Sequence, residues 1–99
     1  MVRKIIWSGN AKSDKIEILK YWVARNKSNT YSKTLDKLFK EAVNLISKNP
    51  GIGHLTNKEN VKVKITRDYL IVYEVTDDTV YILAIFDGRR NPEEFQKRI

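Results

Sequence analysis

The chain has no cysteine, a single histidine (His54), two prolines, four glycines and one methionine in 99 residues. Without cysteine there is no disulfide, no thiolate nucleophile and no thiolate metal ligand. One histidine cannot build the nitrogen-and-sulfur shell that zinc prefers, so no metal and no other cofactor is expected. The scarcity of glycine and proline argues against a linker or a low-complexity tract. No apolar run approaches the length of a membrane span, and Met1–Trp7 is broken by Arg3 and Lys4 too early for a signal peptide. The protein is therefore read as cytoplasmic, with no membrane partner. Acidic residues are the minority, 12 against 19 Lys and Arg, for a formal charge of +7. On so small a domain that field suits an anionic partner, nucleic acid or an acidic protein, and solubility alone is the simpler alternative.

Hydrophobic residues make up 41% of the chain, enough for one two-layer core, and the length leaves room for one domain spanning residues 1–99. Val2–Trp7 is β-branched and aromatic and reads as a strand. Ser8 or Asn10 offers a side-chain oxygen to cap a helix over Ala11–Asn26, whose apolar face is expected to be Ile16, Leu19, Trp22 and Val23 with Ile18 at its edge. After the polar break Asn26–Thr30, a second helix carries Tyr31, Leu35, Leu38, Phe39, Ala42, Val43 and Ile46 at helical spacing. Pro50, Gly51 and Gly53 end it.

From there the period changes to two. Val61, Val63 and Ile65 alternate with Lys62 and Lys64, which predicts a strand with one apolar and one basic face. Thr66–Asp68 is a turn, and Tyr69–Thr76 and Thr79–Phe86 are strands apolar on nearly both faces, joined at Asp77-Asp78. Asp87–Pro92 is a loop and Glu93–Ile99 a short terminal helix. The expected fold is α+β in two layers, β-α-α-β-β-β. A helical hairpin packs on a four-stranded, mainly antiparallel sheet of order 1-4-3-2, the first and last strands running antiparallel.

Few residues carry recognisable chemistry. Lys62 and Lys64 share a strand face and can hold a phosphate, or simply protect an edge strand from pairing. Arg89 and Arg90 follow a central strand and can clamp a phosphate or a carboxylate bidentately. His54 is the only side chain that ordinarily titrates near neutrality, yet it sits in a Gly-Ile-Gly-His turn without a visible partner. Gly51-Ile52-Gly53 is not a phosphate loop, lacking the following Gly-Lys-Ser/Thr. Tyr69, Tyr73 and Tyr81 can stack on bases, although cross-strand packing is the commoner use. Trp7 and Trp22 read as core or helix-interface residues. Asp14, Glu17, Glu41, Asp77 and Asp78 form no catalytic carboxylate pair, and no serine has a histidine partner.

The run Tyr69–Val75, the acidic Asp77-Asp78, then Val80–Phe86 and the basic loop Asp87–Pro92 resemble the C-terminal hairpin of the RelE/ParE toxin superfamily. Asn49-Pro50 with Gly51 and Gly53 is similar to that family's exit from its second helix, and Trp7-Ser8 to its start. The resemblance spans essentially the whole chain. It implies the toxin half of a bacterial type II toxin–antitoxin pair, neutralised by a cognate acidic antitoxin. RelE-like members are mRNA interferases that cut messenger RNA on the ribosome. ParE-like members, associated with plasmid stabilization, poison DNA gyrase and lack the RNA-cleaving residues. Carried over, the nuclease residues would be Lys62, Lys64, Arg89 and Arg90, and the target-binding set would be Lys62, Lys64, Arg67, Arg89 and Arg90. The family's strand arginine falls here at Leu70, which cannot stabilise a phosphate. Its C-terminal tyrosine or histidine falls near Phe95 or Gln96, neither of which transfers a proton. These departures lean the reading toward a ParE-like binder that is not an enzyme. A ribosome-dependent endoribonuclease and a non-toxic nucleic-acid-binding module are the alternatives. Gyrase against ribosome and mRNA as target, and monomer against dimer, stay open.

Overall fold

A computed structural model describes residues 2–88. Strand β1 (Lys4–Trp7) leads into helix α1 (Gly9–Asn26) and helix α2 (Thr30–Lys48). A short 3-10 turn at Pro50–Ile52 follows, then strands β2 (His54–Leu55), β3 (Val61–Thr66), β4 (Tyr69–Val75) and β5 (Thr79–Asp87). The terminal helix expected over Glu93–Ile99 lies outside the described residues.

Local chemistry accounts for the helix ends. Ser8 is extended, and its Oγ accepts from the Ala11 N–H at 3.0 Å, as an N-cap does. At the other end Lys27 turns left-handed with φ 52 and ψ 34, closing α1 without a glycine. The hairpin between the helices holds together at Ser28, whose Oγ accepts from the Thr30 N–H at 3.2 Å. After α2 the turn is pinned by Tyr73, whose hydroxyl donates to the Pro50 carbonyl at 2.7 Å and accepts from the Gly53 N–H at 3.0 Å.

The sheet has five strands in the order β1-β5-β4-β3-β2. The four expected strands keep their expected neighbours, but a fifth, β2, joins the edge beyond β3. It pairs only His54 with Val63 and Leu55 with Lys62, antiparallel to β3. That extra reversal changes the parity of the chain path. β1 and β5 therefore run parallel, with Lys4 to Trp7 registered against Thr79 to Ile82, and not antiparallel as expected from four strands. The β3–β4 and β4–β5 pairings are antiparallel. The last register shifts after Val72, which faces Ala84 while Tyr73 faces Ile82, leaving Leu83 as the extra residue of a bulge. The Ser8 hydroxyl donates to the Leu83 carbonyl at 2.9 Å, tying the start of α1 to that bulge.

The main core lies between the helices and the sheet. From α2 it takes Leu35, Phe39, Ala42, Val43 and Ile46, and from the sheet Tyr69, Ile71, Tyr73, Val80, Ile82 and Ile85. The stripe expected on α2 is thus the buried one, although Leu38 is only half-buried and outside this cluster. On α1 the face is rotated from expectation. Ala11, Ile18, Leu19 and Trp22 pack on the core, while Ile16 and Val23 are exposed. The inward positions of α1 also carry Asp14 and Lys15, which tertiary partners satisfy. Asp14 Oδ2 accepts from the Ile85 N–H at 3.0 Å, and Lys15 Nζ lies 3.1 Å from Asp36 of α2. A second apolar cluster, Val61, Val63, Val72, Ala84 and Phe86, occupies the opposite face of the sheet.

Candidate functional site

Strand β3 carries the basic pair. Lys62 stands opposite Tyr73 and Lys64 opposite Ile71, and directly paired residues share a face. Tyr73 and Ile71 belong to the core beneath the helices, so both lysines project on the helical side, where they are half-buried. Lys64 Nζ donates to the Ile65 carbonyl at 3.3 Å. The apolar members of the strand, Val61 and Val63, face the other way, into the second cluster. The alternation is as the sequence predicted; only the sheet register shows which side each half takes.

Arg67 is exposed at the tip of the β3–β4 hairpin with φ 57, a left-handed conformation in a two-residue loop between the paired Thr66 and Tyr69. Arg89 and Arg90 lie outside the described residues. The described chain reaches Gly88 next to that same hairpin, its N–H donating to the Asp68 carbonyl at 2.7 Å.

The position of the family's strand arginine does not share the lysines' face. Leu70 pairs with Ile65 and Phe86, on the side of Val63 and Val72. The structure therefore separates Lys62 and Lys64 from position 70 by the thickness of the sheet. His54 is exposed and registers with Val63, also away from the lysines. Tyr69 and Tyr73 are core residues at 3% and 0% exposure, which leaves neither ring open to a base. Burial pushes the Tyr73 hydroxyl above its ordinary pKa, partly offset by the Gly53 N–H bond, so it serves as a neutral hydrogen-bonding clamp. Tyr69 meets Phe39 edge to face at 5.5 Å and accepts from Trp22 Nε1 at 2.7 Å. Tyr81, half-buried, lies between Glu74 and Ile6.

Sequence reasoning missed a second constellation, at the opposite edge of the sheet. Lys15 of α1 and Lys40 of α2 both reach Asp36, at 3.1 and 3.3 Å. Burial alone would raise the Asp36 pKa, but the two ammonium groups more than offset it and hold the carboxyl below its ordinary range. The Asp36–Lys40 half was visible as an acid four residues ahead of a base on one helix. The Lys15 half needs the helices folded together. Beside this trio an open cleft of about 360 Å³ is lined by Ile5, Trp7, Lys40, Val43 and Asn44. Lys15 Nζ sits 5.2 Å above the Trp7 ring. Among the described residues, no cluster of three or more His, Cys, Asp or Glu is arranged to hold a metal ion.

The sequence profile of the ParE toxin of type II toxin–antitoxin systems (parDE) matches residues 5–92. The chain belongs to the ParE toxin family. No curated relative matches it. Among solved structures it is similar to a chain of the chromosomal ParDE toxin–antitoxin system from P. aeruginosa. The TM-score is 0.74 at 17% identity, over 87% of this chain and 96% of that one. At that identity the likeness speaks for the fold: a helical hairpin on a mixed sheet. Family membership makes this chain a type II toxin with an antitoxin as its partner. No helix among the described residues is long and apolar enough to cross a membrane.

Proposed function

We propose that this ParE-family chain stops growth by binding DNA gyrase in the cytoplasm, without cutting RNA, and is neutralised by a cognate acidic antitoxin. The observation that carries this reading is the division of the sheet. A ribonuclease of this fold needs several cations converging on one scissile phosphate to stabilise its developing charge. Here Lys62 and Lys64 lie on the helical side, and Leu70 lies on the other face among Val63, Val72 and Phe86. Arg67 stands exposed at the hairpin tip and suits contact with an acidic surface or a backbone phosphate better than an enclosed chemical step, and Arg89 and Arg90 are proposed as further target contacts on their chemistry alone.

Induction in growing bacteria should stop DNA replication before translation. Purified protein should inhibit gyrase supercoiling and leave ribosome-bound messenger RNA intact. Ribosome-dependent cleavage products, absent in a Lys62→Ala, Lys64→Ala, Arg90→Ala variant, would reverse the assignment in favour of an endoribonuclease. Co-expression with a neighbouring small acidic gene product should restore growth, as the +7 charge anticipates.

A further inference from the structure

We propose that the outward ridge of α1, built on Ile16, Lys20, Val23 and Lys27, receives an acidic amphipathic helix of the toxin's protein target. In naming the target as the source of that helix, the proposal rests on the gyrase reading.

The sequence pattern placed Ile16 and Val23 in the core, and the fold turns both outward, at 50% and 39% exposure. Ala11, Ile18, Leu19 and Trp22 occupy the core side, so α1 carries apolar residues on both of its faces. β-Branched side chains lose rotamer freedom in a helix, so local propensity does not account for them on a solvated face. A single exposed aliphatic is ordinary. These two are seven residues apart, close to two turns, and so stand on one line about 10 Å from each other. Lys20 lies four residues after Ile16, and Lys27, which closes the helix, lies four after Val23. Both lysines are exposed. The order is aliphatic then lysine, twice, with a period of seven. In paired helices that is the pattern of a seam position with a charged residue at its flank.

The charge along the ridge has one sign. Lys12, a turn before Ile16, is exposed as well, and none of Lys12, Lys20 and Lys27 is ion-paired among the described residues. Of the acids on α1, Asp14 turns inward to the Ile85 N–H, and Glu17 stands about a quarter turn off the line. A second copy of this chain would set lysine against lysine. A phosphate backbone would use the lysines and leave Ile16 and Val23 without apolar contact. A helix with aliphatic residues at the same period and carboxylates beside them satisfies both. The end of the ridge lies toward the target contact proposed at Arg67. Trp22, next to Val23, donates to the Tyr69 hydroxyl at 2.7 Å, and Tyr69 directly follows the turn that exposes Arg67.

The test titrates wild type and variants into gyrase supercoiling reactions. Ile16→Ala with Val23→Ala removes the aliphatic pair, and Lys20→Glu reverses the charge between them. Each should raise the concentration for half-inhibition by about tenfold or more. The melting temperature of the free chain and its affinity for the acidic product of the neighbouring gene should stay unchanged. Half-inhibition unchanged in either variant, or a loss matched by an equal loss of antitoxin binding, overturns the ridge as the seat of a target helix and leaves the gyrase reading standing. Should the wild type not inhibit gyrase, that reading fails, and a helical peptide rich in glutamate with leucine at every seventh residue decides the ridge. Saturable amide shifts at Ile16, Lys20 and Val23, lost in the double alanine variant, support it; no shift at millimolar peptide overturns it.

Discussion

Phe39 of α2 joins the helical hairpin to the sheet through a ring contact with Tyr69 of β4. It has no exposed surface, and its ring meets Tyr69 edge to face at 5.5 Å and 86°. Truncation to alanine removes the transfer free energy of the ring and leaves a cavity between rigid neighbours. For a fully buried phenylalanine the loss is about 3–5 kcal/mol. The aromatic pair itself accounts for about 0.5–1.5 kcal/mol of it. Domains of this size have about 5–15 kcal/mol in total, so Phe39→Ala should consume a large part of the stability. At roughly 4–8 °C per kcal/mol, the melting midpoint should fall by at least about 12 °C. Phe39→Leu keeps apolar contact and most of the volume while losing the ring, and should cost about 1–1.5 kcal/mol. Urea unfolding of the wild type and both variants measures these losses, with an unchanged m-value confirming that the same surface is exposed. A Phe39→Ala loss below about 1 kcal/mol would refute the packing of α2 on the sheet through this face.

Gly53→Ala should destabilise by about 1–3 kcal/mol in urea unfolding, because a Cβ there would collide with the Tyr73 hydroxyl that pins the turn after α2. Paired with Tyr73→Phe, which removes the hydroxyl, the same substitution should cost less, a coupling that a double-mutant cycle reads directly. Asp36 has a folded pKa below its ordinary 3.8, so its contribution is fully present above the unfolded value and is lost as pH falls through the lower folded one. Asp36→Asn should therefore lower stability at neutral pH and flatten its decline in acid, measured as unfolding midpoints from neutral pH down through 3.8. Arg67→Gly relieves the left-handed φ of 57 and should leave stability unchanged or raise it by up to about 1 kcal/mol. Lost growth inhibition in that stable variant would mark Arg67 as a target contact, and full inhibition would limit it to the turn.

The period of α2 determined most of the residues that enter the core, because Leu35, Phe39, Ala42, Val43 and Ile46 need only one apolar stripe facing one sheet; Leu38, on the border of that stripe, stays outside it. The strands β3, β4 and β5 and their short connections were equally legible, since alternation and turn residues are local properties. The inward face of α1 was not. Asp14 and Lys15 hold positions that hydropathy assigns to solvent, and only the β5 backbone and Asp36, distant in sequence, make them satisfied there. The sheet path also lay beyond the pattern. β2 has two residues, both exposed, and therefore no periodicity, yet its single reversal makes β1 parallel to β5. The candidate site divides along the same line. The sequence determined that Lys62 and Lys64 share a face, because side chains on a strand alternate. Only the register of β3 on β4 decided that this face is the helical one and that Leu70 lies on the other. A strand carrying apolar residues on one side does not specify which of two apolar layers they join.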